Sequence, residues 1–214
     1  MNAINDYETR REKDNRRENL CMDFLENNLF NGNDTYTRNY DRNTQRLGID
    51  FSYNGWKTDL KTASSFNYNG NLRTGCLECF ARYPHEGQWK EYTGWFLNNR
   101  SLNDTLMYAW IDKIPDGKDD IYCVEDIKKI EVLLVKNSDM LDYLTGIGWP
   151  VDRIEEYIKN NIIGHEWDWG KTVEVDGLKF NSPRRFYYTE RPINILVSRN
   201  VYKELSLENH TWGE

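Results

Sequence analysis

The dipeptide Asn54-Gly55 constrains this chain more than any other feature. Aromatic, β-branched and aliphatic residues flank it on both sides, from Leu47 to Tyr53 and from Trp56 to Thr62. Asn-Gly between such runs signals a two-residue hairpin turn, because both central residues must adopt positive φ. The turn sets the register. Tyr53 faces Trp56, Ser52 faces Lys57, Phe51 faces Thr58, Asp50 faces Asp59 and Gly48 faces Lys61. Side chains alternate along a strand, so Leu47, Ile49, Phe51, Tyr53, Trp56 and Leu60 share one face, and Asp50, Asp59 and Lys61 share the other.

Two carboxylates opposed across a hairpin stand roughly 4.5–5.5 Å apart at Cβ and repel each other. A solvated outer face with Lys57 and Lys61 nearby is the ordinary way to tolerate them. A divalent cation is the other: a hard ion such as Mg²⁺ or Mn²⁺ takes one or two carboxylates and completes its shell with water and phosphate oxygens. Lys61 would then lie beside an attacking water or the charge of a transition state.

The pattern Gln45-Arg46-x-Gly48-Ile49-Asp50, then Asp59-x-Lys61-x-Ala63, with the later Glu78 and Gly94-Trp95-Phe96-Leu97, resembles a phage or bacterial subgroup of the PD-(D/E)XK nucleases. These residues span roughly the first half of the chain. Ile49 stands where the family name has proline, and the second acidic residue is Asp59 rather than Glu. The resemblance implies a restriction-endonuclease-like fold and Mg²⁺-dependent hydrolysis of DNA. It assigns Asp50, Asp59 and the carbonyl of Leu60 to the metal and Lys61 to the nucleophile. Gln45 and Glu78 become further candidates for the same cleft. The family often adds an acid from an N-terminal helix, which here is Glu18, with Asp23 and Glu26 as rivals. A homodimer is an arrangement that the resemblance allows, and RNA remains open as a substrate.

A chain of 214 residues suits one domain, with residues 1–112 as a core that carries the hairpin and residues 113–214 as a C-terminal elaboration. Its 8 Trp and 14 Tyr exclude a disordered composition. The net charge of −7 runs against bulk electrostatic binding of nucleic acid, so cations would have to be placed locally. No apolar run reaches the length of a membrane span, about 18 residues, and the first residues lack the apolar core of a secretory signal. A cytoplasmic location is expected. Cys21, Cys76, Cys79 and Cys123 are too scattered for a disulfide framework and read as reduced thiols. Cys76 and Cys79 form a CxxC that would point to opposite faces of a strand and has no partner pair, so zinc is not expected. His85, His165 and His210 are isolated, and no phosphate-binding Gly-rich motif or HExxH occurs.

The mixed pattern predicts an α/β protein whose central mixed sheet is flanked by helices. Residues 1–30 read as a helix that is amphipathic in its second half. Asn31 to Thr44 reads as a loop in which Arg38, Tyr40 and Arg42 suit phosphate contact and base stacking. Strands are expected at Thr74–Tyr83, Trp89–Leu97, Leu102–Ile111, Ile127–Val135 and Ile193–Val197. Helices are expected at Met140–Thr145, Pro150–Ile163 and Val201–Leu205. The last segment adds Trp167, Trp169 and Trp212 and a basic group at Arg184, Arg185 and Arg191. A protein of the same fold that binds a host protein or nucleic acid without catalysis is the alternative function.

Overall fold

A computed structural model describes residues 3–45, 48–64, 73–86, 88–98, 102–163, 171–182 and 191–213. Leu47, His165, Trp167, Trp169, Arg184 and Arg185 lie outside the described residues. The chain opens with α1 (Ala3–Asn28), β1 (Thr37–Arg38), α2 (Arg42–Gln45), β2 (Phe51–Tyr53), β3 (Trp56–Ser64), β4 (Thr74–His85) and β5 (Gln88–Thr93). It continues with β6 (Thr105–Lys113), β7 (Lys129–Lys136), α3 (Asn137–Gly146) and α4 (Val151–Tyr157). It closes with β8 (Thr172–Val175), β9 (Leu178–Asn181), β10 (Arg191–Ser198), α5 (Arg199–Leu205) and β11 (Ser206–Trp212). The fold is mixed α/β, as the sequence predicts.

The strands form two sheets, one ordered β1-β2-β3-β6-β7-β11 and one ordered β5-β4-β10-β9-β8. They belong to two compact units that interleave along the chain. The first unit comprises residues 1–7, 74–101 and 138–198, and the second comprises residues 8–73, 102–137 and 199–214. Neither coincides with the stretches 1–112 and 113–214 expected from sequence.

In the second unit, the hairpin forms as its turn requires. Asn54 (φ 50°) and Gly55 (φ 82°) take the left-handed conformation, and Tyr53–Trp56, Ser52–Lys57 and Phe51–Thr58 pair as expected. The pairing then stops one residue short. Asp50 donates its N–H to the Thr58 carbonyl at 2.9 Å, so Asp50 and Asp59 are not a ladder pair, nor are Gly48 and Lys61. On its far side β3 runs parallel to β6, which in turn pairs antiparallel with β7.

One face of this sheet is covered by α1. Cys21, Met22, Phe24 and Leu25 pack with Phe51, Leu60, Met107, Ala109, Val132 and Leu134 in a single apolar cluster. At β6 and β7 the opposite face is also buried, whereas on the hairpin Lys57 of that face is exposed. Leu106, Tyr108, Trp110, Leu133 and Val135 are inaccessible or nearly so. Tyr202 of α5 packs on Tyr108 and Trp110 with ring centroids 5.0 and 5.3 Å apart. The continuous apolar runs Leu106–Ile111 and Val132–Val135 are the sequence signature of strands buried on both faces.

Arg199 fastens α5 to that second face. Its two terminal nitrogens fork onto the Asp112 carboxylate at 2.7 Å each, and its Nε meets Glu131. Lys203, one turn on, also reaches Glu131 at 2.8 Å. The planar guanidinium lies over the Trp110 ring, 5.1 Å from its centroid.

In the first unit, β4 pairs with β5 and β10, and β10 continues to the β8–β9 hairpin. That hairpin turns at Asp176 (φ 46°) and Gly177 (φ 79°), an Asp-Gly signal flanked by Val173, Val175, Leu178 and Phe180 that the sequence reading passed over. The strand expected to reach Leu97 ends at Thr93. Gly94 instead donates to the Cys79 carbonyl, and a Cβ there would stand 2.4 Å from the Glu78 carbonyl oxygen. The helix expected over Pro150–Ile163 is α4 followed by a π-helical turn, Ile158–Ile163. Two short elements, β1 and α2, lie in the stretch read as a loop. β11 was missed because its polar alternation, SLENHTW, is buried on one face only in part.

Replacing Arg199 with Ala leaves the carboxylates of Asp112 and Glu131 without their main cation, and removal of one partner from such a buried set costs about 3–5 kcal/mol. Urea unfolding of R199A should show a loss of that order, with R199K recovering only part because an ammonium cannot fork.

Candidate functional site

Four of the residues singled out in the sequence come together in the second unit. Asp59, in the middle of β3, is only 3 % exposed, which removes the reading of a solvated outer face. Its Oδ1 accepts a hydrogen bond from Lys61 Nζ at 2.8 Å, and the nearby charge of Asp50 acts on its carboxyl. Asp50 is half-buried at the end of the bend before β2, and its Oδ2 accepts the Leu60 N–H at 2.8 Å. The carboxylate therefore takes a main-chain donor of β3 where the ladder has ended. Leu60 stands in the parallel pairing opposite Met107.

Glu18 of α1 lies within electrostatic reach of this group. Its charge acts on Lys61, and those of Lys61 and Asp50 act on it. The rivals are committed elsewhere. Asp23 and Glu26 accept hydrogen bonds from Arg38 at 2.9 and 3.2 Å, and Glu26 also accepts the Tyr36 hydroxyl at 2.6 Å. Arg38 is therefore neutralised by the helix, which removes it as the phosphate contact suggested by its sequence context. The side chain of Arg42 lies outside the described groups.

Gln45 is placed beside the group rather than in it. Its Nε2 donates to the Asn39 carbonyl at 3.0 Å, and Asn39 in turn donates its main-chain N–H to the Asp50 carbonyl at 2.8 Å and its side-chain amide to the Ile49 carbonyl at 3.0 Å. Gln45 thus fixes the loop that positions Asp50. Glu78 lies on β4 in the other unit, half-buried, with its carbonyl accepting the Phe96 N–H. Cys76 is exposed and Cys79 buried, on opposite faces as alternation requires, and all four cysteines are free.

The electrostatics follow from burial. Asp59 is pushed up to about 7 because burial disfavours its anion; the charge of Lys61 pulls the other way and that of Asp50 adds to the rise. Glu18 is also raised, first by burial. Burial works against the ammonium of Lys61, but the carboxylates of Asp59, Glu18 and Asp50 outweigh it and hold the proton more firmly than in a free lysine. Lys61 pairs with Asp59, and the charges of Glu18 and Asp50 also act on it, so the acids outnumber the ammonium. A divalent cation would balance them.

The donor set limits how such an ion would be held. Among the described residues, no three His, Cys, Asp or Glu side chains are grouped to hold a metal. The pair Asp50 and Asp59 fits the one or two carboxylates that Mg²⁺ takes directly, with water and a phosphate oxygen supplying the remainder.

No protein-family model, no curated protein and no solved structure matches this chain. Among the described residues, no helix is long and apolar enough to cross a membrane.

The folded protein binds a proton at Asp59 more tightly than the unfolded chain does, since the group moves from 3.8 to about 7. Stability from this group is full below about pH 4 and is lost as pH rises through 7. D59N lacks the titration, so thermal unfolding should show its Tm gaining on that of wild type between pH 5 and pH 8. A difference in Tm that stays flat across that range would contradict the raised value.

Proposed function

We propose that the protein is a metal-dependent nuclease that hydrolyses DNA phosphodiester bonds in a cytoplasmic setting. The observation that supports this reading most is the convergence of Asp50, buried Asp59 and Lys61 at the point where the hairpin ladder ends, with Glu18 beside them. The resemblance of this hairpin to the PD-(D/E)XK pattern points the same way.

Asp50 and Asp59 would hold the ion. When bound, Mg²⁺ or Mn²⁺ supplies a water of lowered pKa and neutralises phosphate charge. Lys61, held protonated by its neighbours, is not a base at neutral pH. Its role is to stabilise the negative charge that develops on the phosphoryl oxygens, as a fixed cation does in a site of low polarity. Asp59 orients Lys61, and the charge of Glu18 helps keep it protonated. The hydrogen bond from the Leu60 amide holds the Asp50 carboxylate in place, and Gln45 holds the loop behind it.

One observation favours the alternative, a binding protein without catalysis: Lys61 already pairs with Asp59 at 2.8 Å, so the buried carboxyl has a partner without any ion. Cleavage separates the two readings. Plasmid and single-stranded DNA incubated with Mg²⁺ or Mn²⁺ should be cut by wild type. D59A and K61A, matched for folding by circular dichroism, should fall by roughly hundredfold or more, the size expected for loss of one transition-state charge partner. Absence of cutting on any DNA substrate would sink the nuclease reading.

Because the carboxyl must lose its proton to bind an ion, metal affinity is coupled to pH. The Mg²⁺ concentration giving half-maximal cleavage should therefore drop as pH is raised from 6 to 8. A half-maximal concentration independent of pH would argue against Asp59 as a ligand.

A further inference from the structure

The segment Asn39-Tyr40-Asp41 is bound to the loop that carries Asp50, yet it presents one large aromatic ring outward. Asn39 makes two hydrogen bonds to Ile49 and Asp50, through its main-chain N–H at 2.8 Å and its side chain at 3.0 Å. Its side-chain oxygen accepts the Asp41 N–H at 3.2 Å, and its carbonyl accepts from Gln45. Asp41 then accepts the N–H and hydroxyl of Thr44 at 2.8 and 2.6 Å. The backbone on both sides of Tyr40 is thus fixed against the site.

Tyr40 is 76 % exposed, the most exposed of the large apolar side chains among the described residues. The Arg38 guanidinium lies over its ring, 5.3 Å from the centroid, and is itself held by Asp23 and Glu26. A ring braced by a neutralised cation and otherwise open to water is suited to stacking. It does not serve as core, and the Arg38 guanidinium beside it is already paired with carboxylates.

We propose that Tyr40 is a stacking platform for a nucleobase next to the reacting phosphate, and that the substrate is therefore DNA unpaired at that position. Bases within a duplex already have both faces stacked, whereas an unpaired base can lie on an aromatic side chain. This inference rests on the nuclease reading for its location beside the site. Stacking also accounts for how an acidic protein of net charge −7 could bind a polyanion with few cations.

The test measures binding and cleavage separately. Binding of 5′-fluorescein-labelled dT12 and of a duplex of equal length is followed by anisotropy in Mg²⁺, with K61A as the background so that cutting does not intervene. Adding Y40A should weaken binding of the single strand tenfold or more, while Y40F retains it and the duplex is little changed. In the wild-type background, Y40A should raise KM for the single strand with kcat nearly unchanged. Equal losses on both DNAs, no loss on either, or no binding of dT12 would overturn the proposal. If Y40A weakens binding but no DNA is ever cut, the platform stands and the nuclease reading fails. If DNA is cut and Y40A is neutral, the platform fails and the nuclease reading stands.

Discussion

Asp59 is a carboxyl buried in the middle of a six-stranded sheet, and a group in that position must be protonated, paired or bound to a cation. Much of the local architecture can be understood as meeting that demand. The β2–β3 ladder ends one residue before Asp50 would have faced it, and the Asp50 carboxylate turns to accept the Leu60 amide. Lys61 folds back along the strand to Asp59, and the charge of Glu18 on α1 acts on the same ammonium. Each adjustment answers one charge but leaves more carboxyl than ammonium. An excess of that kind is costly in a buried setting, and burial raises Asp59 and Glu18 accordingly.

The same sheet shows what a closed version of the problem looks like. On β6 and β7, Asp112 and Glu131 are matched by Arg199 and Lys203, two carboxylates to two cations, with the guanidinium forked and stacked on Trp110. That network is satisfied by its own members and fastens α5 to the sheet. The group around Asp59 differs: Lys61 pairs with Asp59 while the charges of Glu18 and Asp50 also act on it. The contrast is why a functional reading is attached to one cluster and a structural reading to the other.

Much of the second unit was legible in the residues. Asn54-Gly55 set the turn and three cross-strand pairs, because Asn-Gly readily takes the positive φ at both central residues that a type I′ turn needs. The apolar runs around Tyr108 and Leu133 mark strands, and the packing of α1 and α5 on opposite sides buries both of their faces. Elsewhere, Asp176-Gly177 carried the same kind of turn signal and would have located β8 and β9. The split of the Pro150–Ile163 helix and the end of β5 at Thr93 have no comparable local mark. Gly94 closes that strand only because the Glu78 carbonyl occupies the space a Cβ would need.

By itself, the sequence determined the mixed α/β class, the hairpin register near its turn and the candidacy of Asp50, Asp59 and Lys61, since these depend on local backbone geometry and on alternation. Tertiary structure alone decided that Asp59 is buried, that Glu18 rather than Asp23 or Glu26 joins the group, and that Gln45 supports the Asp50 loop. Those outcomes depend on which helix covers which face, and on partners such as Arg38 that claim the rival acids. The interleaving of two units along one chain belongs to the same class. It depends on contacts between strands far apart in sequence, which no local pattern encodes.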